Sequence, residues 1–230
     1  MTITLYDLAG ADPDRRFSPY CWRARLALAH KRLDVDAVPW RFTEKERIAF
    51  SGQGLVPVIV DDSAIVHDSW KIALYLEETY PDRPSLFGGK GAMALLRFVQ
   101  GCTDGILQPA IGRMLMGDLP AVIDDRDRAY FRESREKRFG MTLEAVSADR
   151  DKRLPDFRKS LQPIRIPLAD APYLGGPSPT YADYIVFGAF QWARCTSPFR
   201  LLAEDDPVLA WRKRIEALFG GLAGRAPAFD

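Results

Sequence analysis

Residues 17–28 read Phe-Ser-Pro-Tyr-Cys-Trp-Arg-Ala-Arg-Leu-Ala-Leu, with Ser18 and Cys21 three apart where a helix is predicted to start. Two cysteines at that spacing would make a redox pair, the first thiolate stabilised by the helix N-terminus. With serine at 18 that chemistry is lost, and two roles remain. Ser18 can cap the helix, with Pro19 in its first turn, or it can donate a hydrogen bond to a sulfur that a bound molecule brings. A hydroxyl can do both, because it donates one proton and accepts through its lone pairs. Asp68-Ser69 opens another predicted helix, whose free amides form an anion site; Asp68 also reads as a simple N-cap. Val56-Pro57 precedes a predicted strand, a start that proline tolerates. The two histidines, His30 and His67, form no Cys/His cluster with metal-site spacing, so no metal is expected. His67 has no visible acid partner and reads as structural.

The elements that must position these residues follow from periodicity. Residues 3–8 read as a strand, 18–31 as a helix with Trp22, Leu26 and Ala29 on one apolar stripe and Arg23, Arg25 and Lys31 off it, 34–40 as a strand and 43–50 as a short helix, with Thr43 and Glu46 in capping-box spacing. A hairpin follows, 57–61 and 64–66, closed by Asp62-Ser63, and a helix over 68–80 is stopped by Pro81. The order βαβαββα implies a small mixed sheet flanked by helices. Beyond Pro84 the pattern turns helical, with helices predicted over 91–117, 122–149, 155–170, 180–195 and 205–219. The fold class is therefore an α/β N-terminal domain, residues 1–80, a proline-bearing linker, 81–90, and an all-α bundle, 91–230. Thr180 and Asp183 have N-cap to N3 spacing and read as a folding signal for an inner helix. Arg15 and Arg16 read as solvated loop charges. The charged run from Asp124 to Phe139 reads as a solvent face laced by i,i+4 pairs.

The chain has 230 residues, 47% hydrophobic and 27% charged, with a formal charge of +1. That balance offers no attraction for nucleic acid or an anionic membrane. No apolar run reaches the ~18–20 residues of a membrane span, and the start, MTITLYDLAG, lacks the pattern of a signal peptide. Three cysteines, odd in number, suit a reducing compartment, so a cytoplasmic location is expected.

Taken together, Ser18-Pro19-Tyr20-Cys21-Trp22-Arg23, Leu55-Val56-Pro57-Val58-Ile59-Val60-Asp61, the run from His67-Asp68-Ser69-Trp70 to Tyr80-Pro81, and Thr180-Tyr181-Ala182-Asp183 resemble the cytosolic glutathione transferases over nearly the whole chain. A closer resemblance is to the bacterial glutathione-dependent β-aryl etherases of lignin breakdown. It rests on Thr2–Leu8, the long loop before Ser18, Ser18-Pro19-Tyr20 followed by Trp22-Arg23, Val56–Asp62, Asp68-Ser69-Trp70, Tyr80–Pro84 and Tyr173-Leu174-Gly175-Gly176. The resemblance implies a thioredoxin-like N-terminal domain, glutathione as co-substrate, a small hydrophobic aromatic electrophile, and a homodimer. It implies that Ser18 stabilises the glutathione thiolate, that Pro57 is cis with the Val56 backbone pairing to the cysteinyl part, and that Ser69 holds the γ-glutamyl carboxylate while Asp68 faces the amino group. Gln53 or Arg41 is the candidate for the glycyl carboxylate. Tyr20, Trp22, Phe98, Met114, Met116 and Phe139 are candidates for the electrophile pocket, each also an ordinary core residue type. Cys21 reads as a buried helix residue; the other reading is a mixed disulfide with glutathione. A transferase without etherase activity and a non-catalytic glutathione-binding protein are the rival functions.

Energetics favour a hydroxyl at position 18. Lowering a thiol pKa by about two units needs roughly 2.7 kcal/mol of preference for the anion. A helix terminus supplies about 0.3–1 kcal/mol, and a hydrogen bond to a charged group about 1.5–3 kcal/mol. The dipole alone falls short, and a Ser18 donor closes the gap.

Overall fold

The computed structural model describes residues 2–229. Four strands form one sheet in the order β2-β1-β3-β4: β1 (Thr2–Leu8), β2 (Asp34–Trp40), β3 (Val58–Asp61) and β4 (Ala64–His67). β2 runs parallel to β1, and a crossover through α1 (Pro19–His30) connects them. β3 runs antiparallel to β1, and β4 antiparallel to β3. The register sets Tyr6 opposite Val58 and Val58 opposite His67. Leu8, Val56-Pro57 and Asp68 therefore leave the sheet at the same end, and α2 (Ser69–Thr79) starts there. The βαβαββα order is as expected, except that the second helix is a 3-10 segment over Lys45–Ser51.

The second half is helical: α3 (Met93–Cys102), α4 (Gln108–Leu115), α5 (Asp125–Phe139), α6 (Leu143–Ser147), α7 (Arg150–Ser160), α8 (Gln162–Asp170), α9 (Tyr181–Thr196) and α10 (Pro207–Gly221). Three of the longer predicted spans are divided. A π-helical turn, Thr103–Leu107, separates α3 from α4. Gly140 ends α5 in the left-handed region at φ +69° and divides the span predicted over 122–149. Near 160, Leu161 separates α7 from α8, and α7 begins five residues before the predicted start and tolerates Pro155 within it. No described helix is long and apolar enough to cross a membrane.

Helix α9 is the spine, buried at nearly every position and packed along α1. The contact is close because Gly188 has no side chain: a Cβ there would lie 2.4 Å from the Pro19 carbonyl oxygen. Asp183 anchors the start of α9. Its buried carboxylate accepts from the amides of Thr180, Leu174 and Gly175 and from Trp211 Nε1, at 2.7–3.1 Å. Satisfying four donors inside the core makes it a structural group, as its capping position predicts.

Three expectations about charge are corrected. Arg16 is buried, ion-paired with Asp7 at 3.4 Å and donating to the carbonyl of Ala37. Asp127, within the run expected to be a solvent face, is fully buried and accepts from Phe42 N, Thr43 N and Thr43 Oγ1 at 2.7–2.9 Å. This bond set takes Thr43 away from the expected capping box with Glu46, and ties α5 to the loop after β2. Arg23, read as lying off the apolar stripe of α1, is completely buried because a charged partner reaches it from the helical half.

Candidate active site

A cleft of about 570 Å³ lies between the sheet end and the helical half. Leu8, Phe17, Ser18, Tyr20 and Val56 line its sheet side; Gln108, Met116, Phe139 and Trp192 line its helical side. Ser18 precedes α1 with extended backbone, φ −64° and ψ 125°, and Pro19 follows in the first turn. Its Oγ accepts the Cys21 amide at 3.3 Å. The residue is a helix cap and also a cleft residue. Because the cap uses a lone pair, the hydroxyl proton stays available to an acceptor in the cleft.

Cys21 faces inward and is fully buried. Burial pushes its thiol well up, and the charge of Asp7 pushes it further. It stays protonated and out of reach of a bound thiol, which matches the buried-residue reading.

Tyr20 is placed by a cluster that joins the two halves. Arg23 pairs with Asp104 at 2.6 Å, its guanidinium lies 4.7 Å from the Tyr20 ring centroid, and it donates to Gln108 Oε1 at 3.3 Å. Gln108 Nε2 in turn donates to the Tyr20 hydroxyl at 3.1 Å. Asp104 sits in the π-helical turn, where one extra residue per turn re-aims side chains; such turns recur at functional sites. Sequence reading missed Asp104 and Gln108, which lie 81 and 85 positions from Arg23. No local pattern marks such partners.

The Val56-Pro57 bond is cis. Among the described residues, no other backbone group hydrogen-bonds to the Val56 amide or carbonyl. Beside it, Asp68 caps α2 at φ +72°, its Oδ1 accepting from the amides of Trp70 and Lys71 at 3.0 Å. Ser69 is buried, its carbonyl accepting from the Tyr181 hydroxyl at 2.6 Å, while its own Oγ has no partner among the described residues. A buried hydroxyl without a partner costs stability, about 1–3 kcal/mol, and a polar ligand group at the α2 N-terminus would satisfy it. Asp68 and Ser69 lie beyond the lining of the cleft, adjacent to its Val56 edge by strand register.

Other expected site residues lie elsewhere. Trp22 is in the core, with Nε1 donating to the Arg16 carbonyl at 2.8 Å. Met114 is buried on the inner face of α4 and does not reach the cleft. Phe98 is 69% exposed on the outer face of α3. Gln53 closes its own loop: Nε2 donates to the Leu55 carbonyl and Oε1 accepts the Leu55 amide, at 2.7 and 2.6 Å. Arg41 is paired with Asp124 at 3.1 Å, joining the loop after β2 to the α5 N-terminus. Both candidates for a glycyl carboxylate are thus already engaged within the fold. Tyr20, Met116 and Phe139 do line the cleft.

Residues 13–84 match the family model described as glutathione S-transferase, N-terminal domain, and residues 94–217 match glutathione S-transferase, C-terminal domain. Among curated proteins, the chain is 30% identical over 145 residues to the glutathione S-transferase-like protein ustS of Aspergillus flavus, covering 57% of this chain and 51% of that one. It is 35% identical over 69 residues to glutathione S-transferase Z1 of Arabidopsis thaliana, covering 28% of this chain and 31% of that one. The chain therefore spans about half or less of the length of these relatives. Among solved structures, a glutathione S-transferase of Ceriporiopsis subvermispora in complex with glutathione superposes with a TM-score of 0.80 at 25% identity, over 96% of this chain and 97% of that one. The glutathione transferase GSTFuA3 of Phanerochaete chrysosporium superposes with a TM-score of 0.76 at 26% identity, over 98% and 94%. With family models covering both halves around a thioredoxin-like sheet and a helical bundle, the chain belongs to the glutathione S-transferase family.

Proposed function

We propose that this protein is a glutathione transferase in which Ser18 donates a hydrogen bond to the glutathione thiolate and the cleft receives an aromatic electrophile. The observation that carries the reading is the state of Ser18: capping α1 through its lone pair, with its hydroxyl proton left for an acceptor, on the wall of an aromatic cleft. The Val56 backbone, Ser69 Oγ and the α2 N-terminus would hold the peptide, with Asp68 towards its amino group. The division 1–80, 81–90 and 91–230 gives each half its task, glutathione on one side and electrophile on the other. The reaction is displacement. The thiol gives its proton to water, sulfur attacks the electrophilic carbon, and the leaving group departs with the bonding pair. We further propose β-aryl ethers as electrophiles, an ether C–O bond breaking and phenolate leaving; the aromatic lining supports this. The protein would act in the cytoplasm as a homodimer. An apolar strip supports the latter: Leu95, Phe98 and Ile106 are 68%, 69% and 66% exposed across α3 and the π-helical turn.

The test is phenol release from a β-aryl ether bearing a fluorescent leaving group, beside conjugation of a reactive haloarene. Controls omit glutathione or use Ser18→Ala. Glutathione-dependent release lost in the variant supports the etherase. Conjugation without release restricts the function to a transferase of other electrophiles. Glutathione binding without turnover of any electrophile overturns the enzymatic reading.

A further inference from the structure

The arginines of α5 divide into two groups. Arg126 pairs with Asp124, Arg128 with Asp125, and Arg132 with Glu136 and Glu144, all at 2.7–2.9 Å. Arg135 and Arg138 line the cleft, and neither has a carboxylate partner among the described residues. Arg113, on α4 across from them, also lines the cleft without one. The one acid in the lining among the described residues, Asp104, is already paired with Arg23. Arg135 is held in place: its guanidinium lies 5.0 Å from the Phe131 ring centroid and 5.5 Å from that of Phe42, and it donates to Ser134 Oγ at 3.0 Å. Burial lowers its pKa, and the Arg138 charge one turn along lowers it further.

Like charges one helical turn apart destabilise a helix. The same helix pairs its other arginines with acids and leaves these unpaired only where it faces the cleft. Ring contacts seat Arg135 and the helix C-terminus favours Arg138, but neither neutralises the two charges; a bound anion would. We propose that the cleft selects aromatic electrophiles carrying a carboxylate, which Arg135 and Arg138 receive with help from Arg113 while the ring lies among Phe42, Tyr130 and Phe139. This rests on the cleft being the electrophile site. It assigns the arginines to the electrophile rather than to glutathione, whose proposed contacts lie on the sheet side.

The test compares 4-chloro-3,5-dinitrobenzoate with its methyl ester. In both, the glutathione sulfur bonds to the ring carbon, the C–Cl bond breaks, and chloride leaves with the electron pair. After correction for the uncatalysed rates, kcat/KM is expected to favour the acid by at least about tenfold. Arg135→Gln/Arg138→Gln should remove that preference and leave the glutathione KM unchanged, while Arg132→Gln should keep the preference. Equal kcat/KM for acid and ester in the parent protein overturns the proposal, as does a double variant that raises the glutathione KM with the preference intact. A second arm needs no turnover. Quenching of tryptophan fluorescence, to which Trp192 in the cleft contributes, reports binding of each compound without glutathione. Tighter binding of the acid, lost in the double variant, supports the anion site even if catalysis fails; equal binding with no turnover overturns it.

Discussion

The two walls of the cleft are built differently. On the sheet side, each group is set by backbone within a few residues: Ser18 by the start of α1, Val56 by a cis bond to Pro57, Asp68 and Ser69 by the start of α2. Strand register then brings the three segments to one end of the sheet. On the helical side, Gln108, Met116, Arg135, Phe139 and Trp192 come from α4, α5 and α9, and only packing among helices brings them together. A wall made from caps and strand ends presents amides and hydroxyls in fixed directions, as a constant co-substrate requires. A wall made from side chains on separate helices can change one residue at a time without disturbing the backbone, as a variable electrophile requires.

Removing the Ser18 hydroxyl strikes the sheet-side wall hardest. A lost hydrogen bond to a charged sulfur corresponds to about 1.5–3 kcal/mol, or roughly 10- to 150-fold in turnover. Ser18→Ala is expected to lower kcat by that factor and to move the pH–rate midpoint up by about one to two units, with a smaller change in glutathione KM. Stopped-flow titration of bound thiolate checks the same shift directly. An unchanged midpoint with a lower melting temperature would reduce Ser18 to a helix cap.

Gly188 tests whether the walls are mechanically joined. A Cβ there must displace the Pro19 carbonyl, and backbone cannot swing aside as a side chain tip can. Gly188→Ala is expected to destabilise by about 1–3 kcal/mol, which calorimetry reads as a melting temperature lower by about 2–4 °C per kcal/mol at this size. Because Pro19 follows Ser18, kcat should fall too. Full activity at low temperature would mean that α1 and α9 move together without disturbing the site.

The outer face of the helical wall carries a smaller prediction. Phe98→Glu places a charge on the exposed apolar strip with Leu95 and Ile106, none of which lines the cleft. Light scattering should find a dimer for the parent protein and monomer for the variant, with fluorescence of the cleft tryptophans, Trp40 and Trp192, unchanged. A dimer in both would place the subunit contact elsewhere.

What the sequence made legible follows the same division. Caps, Pro57, the hairpin and the N-terminus of α9 depend on near neighbours, so Ser18, Asp68-Ser69 and Thr180/Asp183 stood out, and they took the expected local positions. The helical wall did not stand out. Trp22, Phe98 and Met114 were candidates by residue type, yet which face of a helix meets a cleft depends on what packs on its other faces. Arg23 and Asp127 looked like surface charges because their partners, Asp104 and Thr43, lie more than eighty positions away. Gln53 looked free for a carboxylate because its bonds depend on loop geometry that periodicity does not carry, and Arg41 because its partner, Asp124, lies on a distant element.

The seam between the two regions supplies the smallest expected effect. His30 ends α1 and meets α9, its Nδ1 2.6 Å from the Tyr184 hydroxyl, with the Tyr184 and Phe219 rings around it. Burial lowers its pKa from the ordinary value near 6.5, and the neighbouring Lys31 charge lowers it further. The unfolded chain therefore takes up the proton first as pH falls, which favours unfolding. The contribution of His30 is intact above about 6.5, the unfolded value, and declines as pH drops from there through the lower folded value. Most carboxylates titrate below about 5, so a fall in denaturation midpoint between pH 7 and 5.5 that a His30 variant lacks reports this group. His30→Gln should be less stable at pH 7.5, having lost the packed ring, yet its midpoint should stay flat across that window. An equal slope in both proteins would mean that the seam tolerates the charge and that acid sensitivity arises within one of the walls.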